Sequence, residues 1–273
     1  MWSVAELPIG VFDSGVGGLT VLRALREALP DEAFLYLGDT ARLPYGTKSP
    51  ETVRRYAEQT AEILVDQGVK MLVIACNTAS AVAIDHLRRR FAPLPVVGVI
   101  EPGAQAAVAA SERGEILVIA TEGTVRGGAY ERAIRALRPE AAVTSTPCAL
   151  FVALAEEGWV EGPIAEAIAR RYLRPILDER PGIDALVLGC THFPVLREAI
   201  AAVVGSRVAL VDSAATTAAV VAGLLPGDLR RGSGGPAPSL RFLATDAPQR
   251  FVRVGPVFLG EAIAPASVEL VDL

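Results

Sequence analysis

Two cysteines stand at matching places in two similar stretches of this sequence. Cys76 follows the aliphatic run at 71–75, Cys190 follows the run at 185–189, and two polar residues come after each of them. A short β-branched and aliphatic run that ends in a polar turn is typical of a buried strand, so each thiol is predicted at a strand-to-helix turn. The cysteines are far enough apart in the chain to belong to different halves of the fold and to face each other across a cleft.

A thiol at such a turn could act as a nucleophile, a redox centre or a general acid and base. Amides at a helix start stabilise a thiolate, so we expect a pKa below the value of about 8.5 that a free thiol has. A redox pair would usually have its partner close in sequence, and nucleophilic catalysis by Cys190 with His192 would leave Cys76 without a role. Two thiols on opposite sides of a substrate suit proton removal from one face of a carbon and proton delivery to the other. The pattern therefore favours a two-base isomerisation.

Composition limits the classes of function. The chain has 273 residues, 51% of them hydrophobic, and a net charge of −5, which allows one large or two ordinary domains with an ample core. The absence of a Lys/Arg block argues against a nucleic-acid surface, whereas a small anion could still bind at a helix N-terminus. The three cysteines form no CxxC pair, which predicts neither a disulfide framework nor a zinc site and favours the reducing cytoplasm.

A membrane location is not expected from the sequence. No uncharged run, including the one between Asp212 and Asp228, reaches the roughly 18 residues that a spanning helix needs. The N-terminus also lacks the basic segment and the apolar run of a signal peptide.

Strand-like and helix-like segments alternate along the chain, which favours a parallel α/β sheet. Strands are predicted at 8–12, 33–37, 71–75, 96–100, 116–120, 185–189, 208–211 and 240–244. The stretch 232–238 is the one loop-like segment of low complexity. No tandem repeat is found, but the likeness of the two thiol strands suggests two similar halves with the cleft between them.

Polar side chains follow several of these strands. Asp13 and Ser14 begin a glycine-rich turn, Tyr45 and Gly46 lie in a stiff loop, and Thr121 offers a hydroxyl at a helix start. Such residues can present donors and backbone amides to a ligand, although a plain turn with an N-cap is an equally good interpretation of each one alone. The glycine spacing does not fit a dinucleotide-binding loop.

Two further reactive side chains have structural interpretations. His86 stands beside a run of arginines and is predicted on a solvated helix face. Cys148 has no patterned neighbours and is predicted as a buried structural thiol.

Six segments in a fixed order give this chain a resemblance to a known family. They are GVFDSGVGGLTVL from Gly10, LGDTARLPYGTKS from Leu37, VIACNTASA from Val73, GVIEPG from Gly98, VLGCTHFPVL from Val187 and LVDSA from Leu210. On these segments the chain resembles the glutamate racemases of the cofactor-independent aspartate/glutamate racemase superfamily. The resemblance spans almost the whole chain.

The resemblance implies a reversible interconversion of L- and D-glutamate that supplies D-glutamate for peptidoglycan and needs neither pyridoxal phosphate nor metal. It implies two similar α/β domains with mostly parallel sheets and the active site in the cleft between them. The first domain would comprise residues 1–98 and 211–273, and the second residues 99–210. Glutamate would be the small-molecule partner, and the resemblance leaves a homodimer open.

The resemblance also assigns roles to residues. Cys76 and Cys190 would be the acid/base pair, the first deprotonating the D-enantiomer and the second the L-enantiomer. Asp13 and His192 would assist them, and Glu156 would match an acidic residue near the second cysteine, with the adjacent Glu157 as an alternative register. Substrate contacts would fall on Asp13, Ser14, Tyr45, Gly46, Asn77, Thr78, Thr121, Thr191 and His192.

Three departures from the family pattern lie close together. Ala120 stands where the family usually has glycine, and Gly127 and Gly128 replace a more usual Ser and Asn, so the local ligand contacts there are open. The rival interpretations are a racemase for aspartate or another acidic amino acid, and a binding or regulatory protein on the same fold. The intact cysteines argue against the second rival.

Overall fold

A computed structural model describes residues 4–225, 227, 229–231 and 238–273. The low-complexity loop predicted at 232–238 therefore lies outside the described residues except for Pro238.

The described strands form two sheets in which every pairing is parallel. In chain order the strands are β1 Ile9–Asp13, β2 Phe34–Gly38, β3 Met71–Ile74, β4 Val96–Gly98, β5 Glu115–Ala120, β6 Ala142–Pro147, β7 Ala185–Gly189, β8 Ala209–Asp212, β9 Leu240–Ala244 and β10 Val268–Leu270. The first sheet has the order β10-β9-β2-β1-β3-β4, and the second has the order β6-β5-β7-β8. The predicted α/β class with parallel sheets is confirmed.

Helices cover both faces of each sheet. They are α1 Leu19–Ala28, α2 Pro50–Asp66, α3 Asn77–Arg90, α4 Ile100–Ala110, α5 Glu122–Gly127, α6 Ala129–Leu137, α7 Ala149–Glu156, α8 Gly162–Glu179, α9 Arg197–Val204, α10 Ser213–Leu224 and α11 Pro248–Leu259. Short 3₁₀ helices occupy Val4–Glu6, Tyr45–Thr47, Phe193–Leu196 and Pro265–Ser267. The central strands are buried on both faces, as parallel sheets require, and this explains their nearly continuous aliphatic runs.

The chain passes from the first sheet to the second after β4 and returns through α10. Helix α10 packs on α1 and places Ala214, Ala218 and Val221 in the core of the first sheet. Strand β8 extends across the predicted domain boundary at 210/211. The division into domains at 98/99 and 210/211 stays a prediction.

Three strands differ from the sequence prediction. One of them, β10 at Val268–Leu270, follows the last strand that was predicted. The strand predicted at 96–100 ends at Gly98, and α4 begins at Ile100 with Pro102 in its first turn, where proline costs no hydrogen bond. Strand β6 was not predicted, because it is an edge strand whose Ala-Val-Thr-Ser-Thr-Pro sequence is only partly buried and lacks an aliphatic run.

Candidate active site

Cys76 lies between strand β3 and helix α3. It is the N-cap of α3, where its sulfur accepts a hydrogen bond from the Ala79 amide at 3.5 Å. The thiol also lies 3.6 Å from the Ser14 hydroxyl oxygen, to which it donates. Ser14 follows β1, which pairs directly with β3, so the parallel register places both residues at the same edge of the sheet.

The expectation of a lowered pKa for Cys76 is wrong. Burial raises the pKa of this thiol, the nearby Asp13 carboxylate raises it further, and together they outweigh the Ala79 amide and the Ser14 hydroxyl. The resulting pKa is about 12. Cys76 is therefore a neutral thiol at neutral pH, ready to donate a proton.

Asp13 is fully buried at the end of β1. One carboxylate oxygen accepts a hydrogen bond from the Gly15 amide at 3.0 Å, and the other lies 3.5 Å from the Thr191 hydroxyl. Burial raises the pKa of Asp13, and the charge of His192 and the backbone amides of the glycine-rich turn oppose that rise. Asp13 thus contacts the second cysteine's turn as well as influencing Cys76.

Cys190 follows strand β7 but is not at the start of an α-helix. A turn at Thr191 and His192 and then the 3₁₀ helix Phe193–Leu196 separate it from α9. The predicted turn after the strand is present, but it leads first into a 3₁₀ helix that contains Pro194, and the α-helix begins only at Arg197. Instead of a helix N-terminus, the close partner of the Cys190 sulfur is His192 Nδ1 at 3.8 Å.

His192 connects Cys190 to an acidic side chain. Its Nε2 lies 3.2 Å from Glu156 Oε1, and Glu156 is the last residue of α7. Burial lowers the pKa of His192, but hydrogen bonds to Cys190 and Glu156 and the charges of Cys190 and Asp13 outweigh it and raise the pKa to about 10. At neutral pH His192 is an imidazolium that can donate from both ring nitrogens.

Of the two adjacent acids, Glu156 is the one that contacts His192. Its side chain is 16% exposed, whereas Glu157 is exposed. Burial raises the pKa of Glu156, but His192 and Arg250 outweigh it and hold the pKa below its usual range. Arg250 Nη2 lies 2.5 Å from Glu156 Oε2. Arg250 was not among the site residues predicted from the sequence.

The glycine-rich turn after β1 packs tightly against the turn after β7. A Cβ on Gly17 would lie 2.4 Å from His192 Nδ1 and 2.5 Å from the Thr191 hydroxyl. The Thr20 hydroxyl donates to the Thr191 carbonyl at 3.0 Å. Glycine is needed here for close approach of the two turns, so the two thiol sites form one continuous structure.

Threonine hydroxyls gather between α3 and α5. Thr78 Oγ1 lies 2.9 Å from Thr121 Oγ1 and 3.2 Å from Thr124 Oγ1, and Gly46 packs so closely on Thr121 that an added Cβ would lie 2.7 Å from its Cβ. The sequence predicted Thr78, Thr121 and Gly46 but missed Thr124, whose position three residues after an N-cap was the available signal. The Tyr45 hydroxyl is used elsewhere, since it donates to Asp39 at 2.5 Å.

Asn77 begins helix α3 and is almost fully buried. Its Oδ1 accepts a hydrogen bond from the Tyr130 hydroxyl at 2.7 Å. Among the described residues, its Nδ2 is the buried side-chain polar atom that has no hydrogen-bond partner. A buried amide without a partner is costly unless a ligand completes it. Asn77 is thus a suitable donor for a bound carboxylate.

The two side chains that were predicted to be structural have no hydrogen bond to this cluster. Cys148 is fully buried, in the core of the second sheet with Phe151 and Leu154. His86 is partly exposed and lies 2.8 Å from Glu58. Over the described ranges, no group of three or more His, Cys, Asp and Glu side chains could hold a metal ion. No helix in the described part of the chain combines the length and apolar character that a membrane span requires.

Known proteins match this chain over most of its length. The model of the Asp/Glu/hydantoin racemase family matches residues 9–221. A glutamate racemase of Geobacter metallireducens is 50% identical over 252 residues, covering 92% of each chain. A glutamate racemase of Syntrophus aciditrophicus is 49% identical over 266 residues, covering 97% of each chain.

A solved structure agrees with these sequence relatives. The glutamate racemase of Francisella tularensis, crystallised with D-glutamate, superimposes with a TM-score of 0.90 at 40% identity and covers 98% of both chains. By sequence and by structure, this chain belongs to the Asp/Glu/hydantoin racemase family and, within it, to the glutamate racemases.

Proposed function

We propose that the protein racemises glutamate by moving protons between the α-carbon and two thiols, Cys76 and Cys190. The observation that carries this proposal is that each thiol has its own acid/base partners. Cys76 lies with Ser14 and the Asp13 carboxylate, while Cys190 lies with the His192 imidazolium. Such paired sites suit a reaction in which each thiol serves one face of the carbon.

The proton states define the first turnover. With L-glutamate, the Cys190 sulfur takes the α-proton, so that the Cα–H bond breaks and an S–H bond forms. Cys76, whose pKa of about 12 keeps it protonated, then transfers its proton to the opposite face of the same carbon. With D-glutamate the two thiols exchange roles. This turnover leaves Cys190 protonated and Cys76 as a thiolate, which is the form that takes the α-proton from D-glutamate. Proton exchange with solvent restores the starting form, so no proton or electron is gained or lost overall.

The α-proton of an amino acid is weakly acidic, so the site must stabilise the carbanion that forms beside the carboxylate. The unpartnered Asn77 amide and the hydroxyls of Thr78 and Thr121 are suitable donors to substrate carboxylates. Ser14, Thr191 and the amides around Gly46 would complete the substrate contacts. Both thiols are nearly fully buried, and exclusion of water strengthens each of these interactions.

The biological role proposed is the supply of D-glutamate for peptidoglycan in the cytoplasm, without pyridoxal phosphate or metal. It is supported by membership of the glutamate racemases. A homodimer stays a prediction.

Incubation of the purified protein with L-glutamate in D₂O, without added cofactor, tests the proposal. We expect loss of optical activity together with deuterium at Cα, because the proton that Cys76 returns comes from solvent. L-Aspartate is assayed in parallel. Turnover of aspartate but not of glutamate would show that aspartate is the substrate. Binding of glutamate without deuterium exchange at Cα would favour the non-catalytic alternative.

A further inference from the structure

Helix α11 contacts the Cys190 side of the site from the opposite sheet. Residues Arg250, Val254 and Phe258 are four apart and so lie on one face of the helix. Val254 and Phe258 are buried in the core of the first sheet. The Phe258 ring also meets the His192 ring edge-on, with 5.0 Å between centroids.

Arg250 reaches the same histidine indirectly. It holds Glu156 Oε2 at 2.5 Å, while the other oxygen of that carboxylate faces His192 Nε2 at 3.2 Å. Glu156 ends α7, which belongs to the core of the second sheet. The ion pair between Arg250 and Glu156 therefore joins a helix on the first sheet to a helix on the second.

A carboxylate held at both oxygens has a fixed orientation, whereas one held at a single oxygen can turn about its terminal torsion. Without Arg250, Glu156 Oε2 would lose the ion pair that holds it. The other end of His192 is only 3.8 Å from the Cys190 sulfur. A turn of Glu156 would thus change the direction in which the imidazole presents its Nδ1 to Cys190.

We propose that Arg250 is a positioning residue for racemisation, which aligns His192 with Cys190 by fixing Glu156 from across the cleft. This inference rests on the proposed function. Arg250 touches neither thiol, and the direct contacts of Cys76 come from Ser14 and Ala79. Removal of Arg250 should therefore slow the steps in which Cys190 gives or takes a proton more than those of Cys76.

The equilibrium constant of a racemisation is one, so kcat/KM must fall equally in both directions. The α-deuterium isotope effects on kcat/KM distinguish the Cys190 step from the Cys76 step. If the Cys190 step slows, the effect of α-deuterium should rise for L-glutamate, whose proton Cys190 removes. It should fall for D-glutamate, whose proton Cys76 removes. A loss of packing alone would slow both steps and would not move the two isotope effects in opposite directions.

The test compares Arg250→Ala and Arg250→Lys with Arg253→Ala, which removes an exposed arginine from the same helix. We expect kcat/KM to fall by about 10- to 100-fold in Arg250→Ala, as for other misplaced catalytic groups, with the opposed isotope effects described above. Arg250→Lys should recover most of the rate, and Arg253→Ala should match the wild type. An unchanged rate, or a lower rate with unchanged isotope effects, would overturn the inference.

Histidine NMR gives a readout that does not depend on turnover. The chain has two histidines, so His86 serves as the internal reference for His192. In Arg250→Ala the His192 ring signals should shift, because Glu156 no longer has a fixed orientation beside Nε2, while those of His86 stay in place. Wild-type protein that fails to racemise glutamate would refute the proposed function alone. An unmoved His192 signal would refute the role of Arg250 alone.

Discussion

Cys76 and Cys190 differ in their surroundings, yet both are needed if protons move on two faces of one carbon. We expect Cys76→Ser and Cys190→Ser each to lower kcat/KM for both enantiomers by about 10²- to 10⁴-fold, the range attributed to a positioned acid or base. A serine hydroxyl is much the weaker acid, and its alkoxide is not available at neutral pH. Circular dichroism of L- and D-glutamate follows the rate. Cys148→Ala, which removes a buried thiol outside the site, is the control, and near-normal turnover by either serine variant would refute the two-base mechanism.

Tyr130 fixes the orientation of Asn77 through the hydrogen bond to its Oδ1. In Tyr130→Phe the amide loses that partner and can rotate away from the orientation in which Nδ2 faces a substrate carboxylate. We expect KM for both enantiomers to rise several-fold, since the loss of one hydrogen bond costs about 1 kcal/mol. Steady-state kinetics measure this. An unchanged KM would show that Tyr130 does not orient Asn77 for substrate binding.

At the level of single residues, the sequence identified both cysteines because each ends a recognisable buried strand. It did not predict the direction of the Cys76 pKa, which depends on burial and on Asp13, a residue brought close only by the pairing of β1 with β3. Nor did it find Tyr130 or Arg250. Their contacts join residues distant in sequence, and no local pattern marks such pairs.

At the level of elements, the turn after β1 packs so closely on the turn after β7 that one added carbon atom would disturb the site. Gly17→Ala would place a Cβ within 2.4 Å of the His192 ring, so the ring or the turn must move. We expect kcat/KM to fall by at least about tenfold, because small displacements of catalytic groups are costly. Enzyme assays with a thermal melt measure the effect.

The matched control is Gly223→Ala in α10, where an added Cβ meets nothing within 4 Å. This substitution should leave activity intact and stabilise the helix by up to about 1 kcal/mol. Equal activity of the two variants would show that the two turns are not closely packed in solution.

The elements themselves were largely predictable, because buried parallel strands carry aliphatic runs and helices carry start signals such as Ser49 with Pro50. Strand β6 escaped prediction since its edge position needs no apolar run. The 3₁₀ helix after Cys190 also escaped prediction, because Pro194 at a helix start is compatible with either kind of helix.

At the level of the whole molecule, the carboxyl edges of the two sheets meet at the site. Hydrogen bonds from Thr78 to Thr121, Thr20 to Thr191 and Tyr130 to Asn77 join them. Alternation of strands and helices predicted parallel sheets but not how two sheets face each other. The likeness of the two thiol strands suggested two halves with a cleft between them, and the resemblance to a family placed the active site there. Local patterns give no more than this, because relative placement depends on contacts among many distant residues.

The stability of the fold should depend on pH, because the two sheets bury ionisable groups and shift their pKa values. Burial opposes a charge on His192, but Cys190 and Glu156 outweigh it and raise the pKa from 6.5 to about 10. The contribution of this histidine to the free energy of unfolding is therefore complete below about pH 6.5 and is lost as the pH rises towards 10. The Cys76 pKa, raised from 9.0 to about 12 by burial and Asp13, adds a loss of the same sign above about pH 9. We therefore expect Tm to fall steadily between pH 7 and pH 10. Thermal melts across this range measure the slope of Tm against pH, which should be smaller in His192→Gln. A wild-type Tm that stays level or rises would show that His192 is not held as the imidazolium.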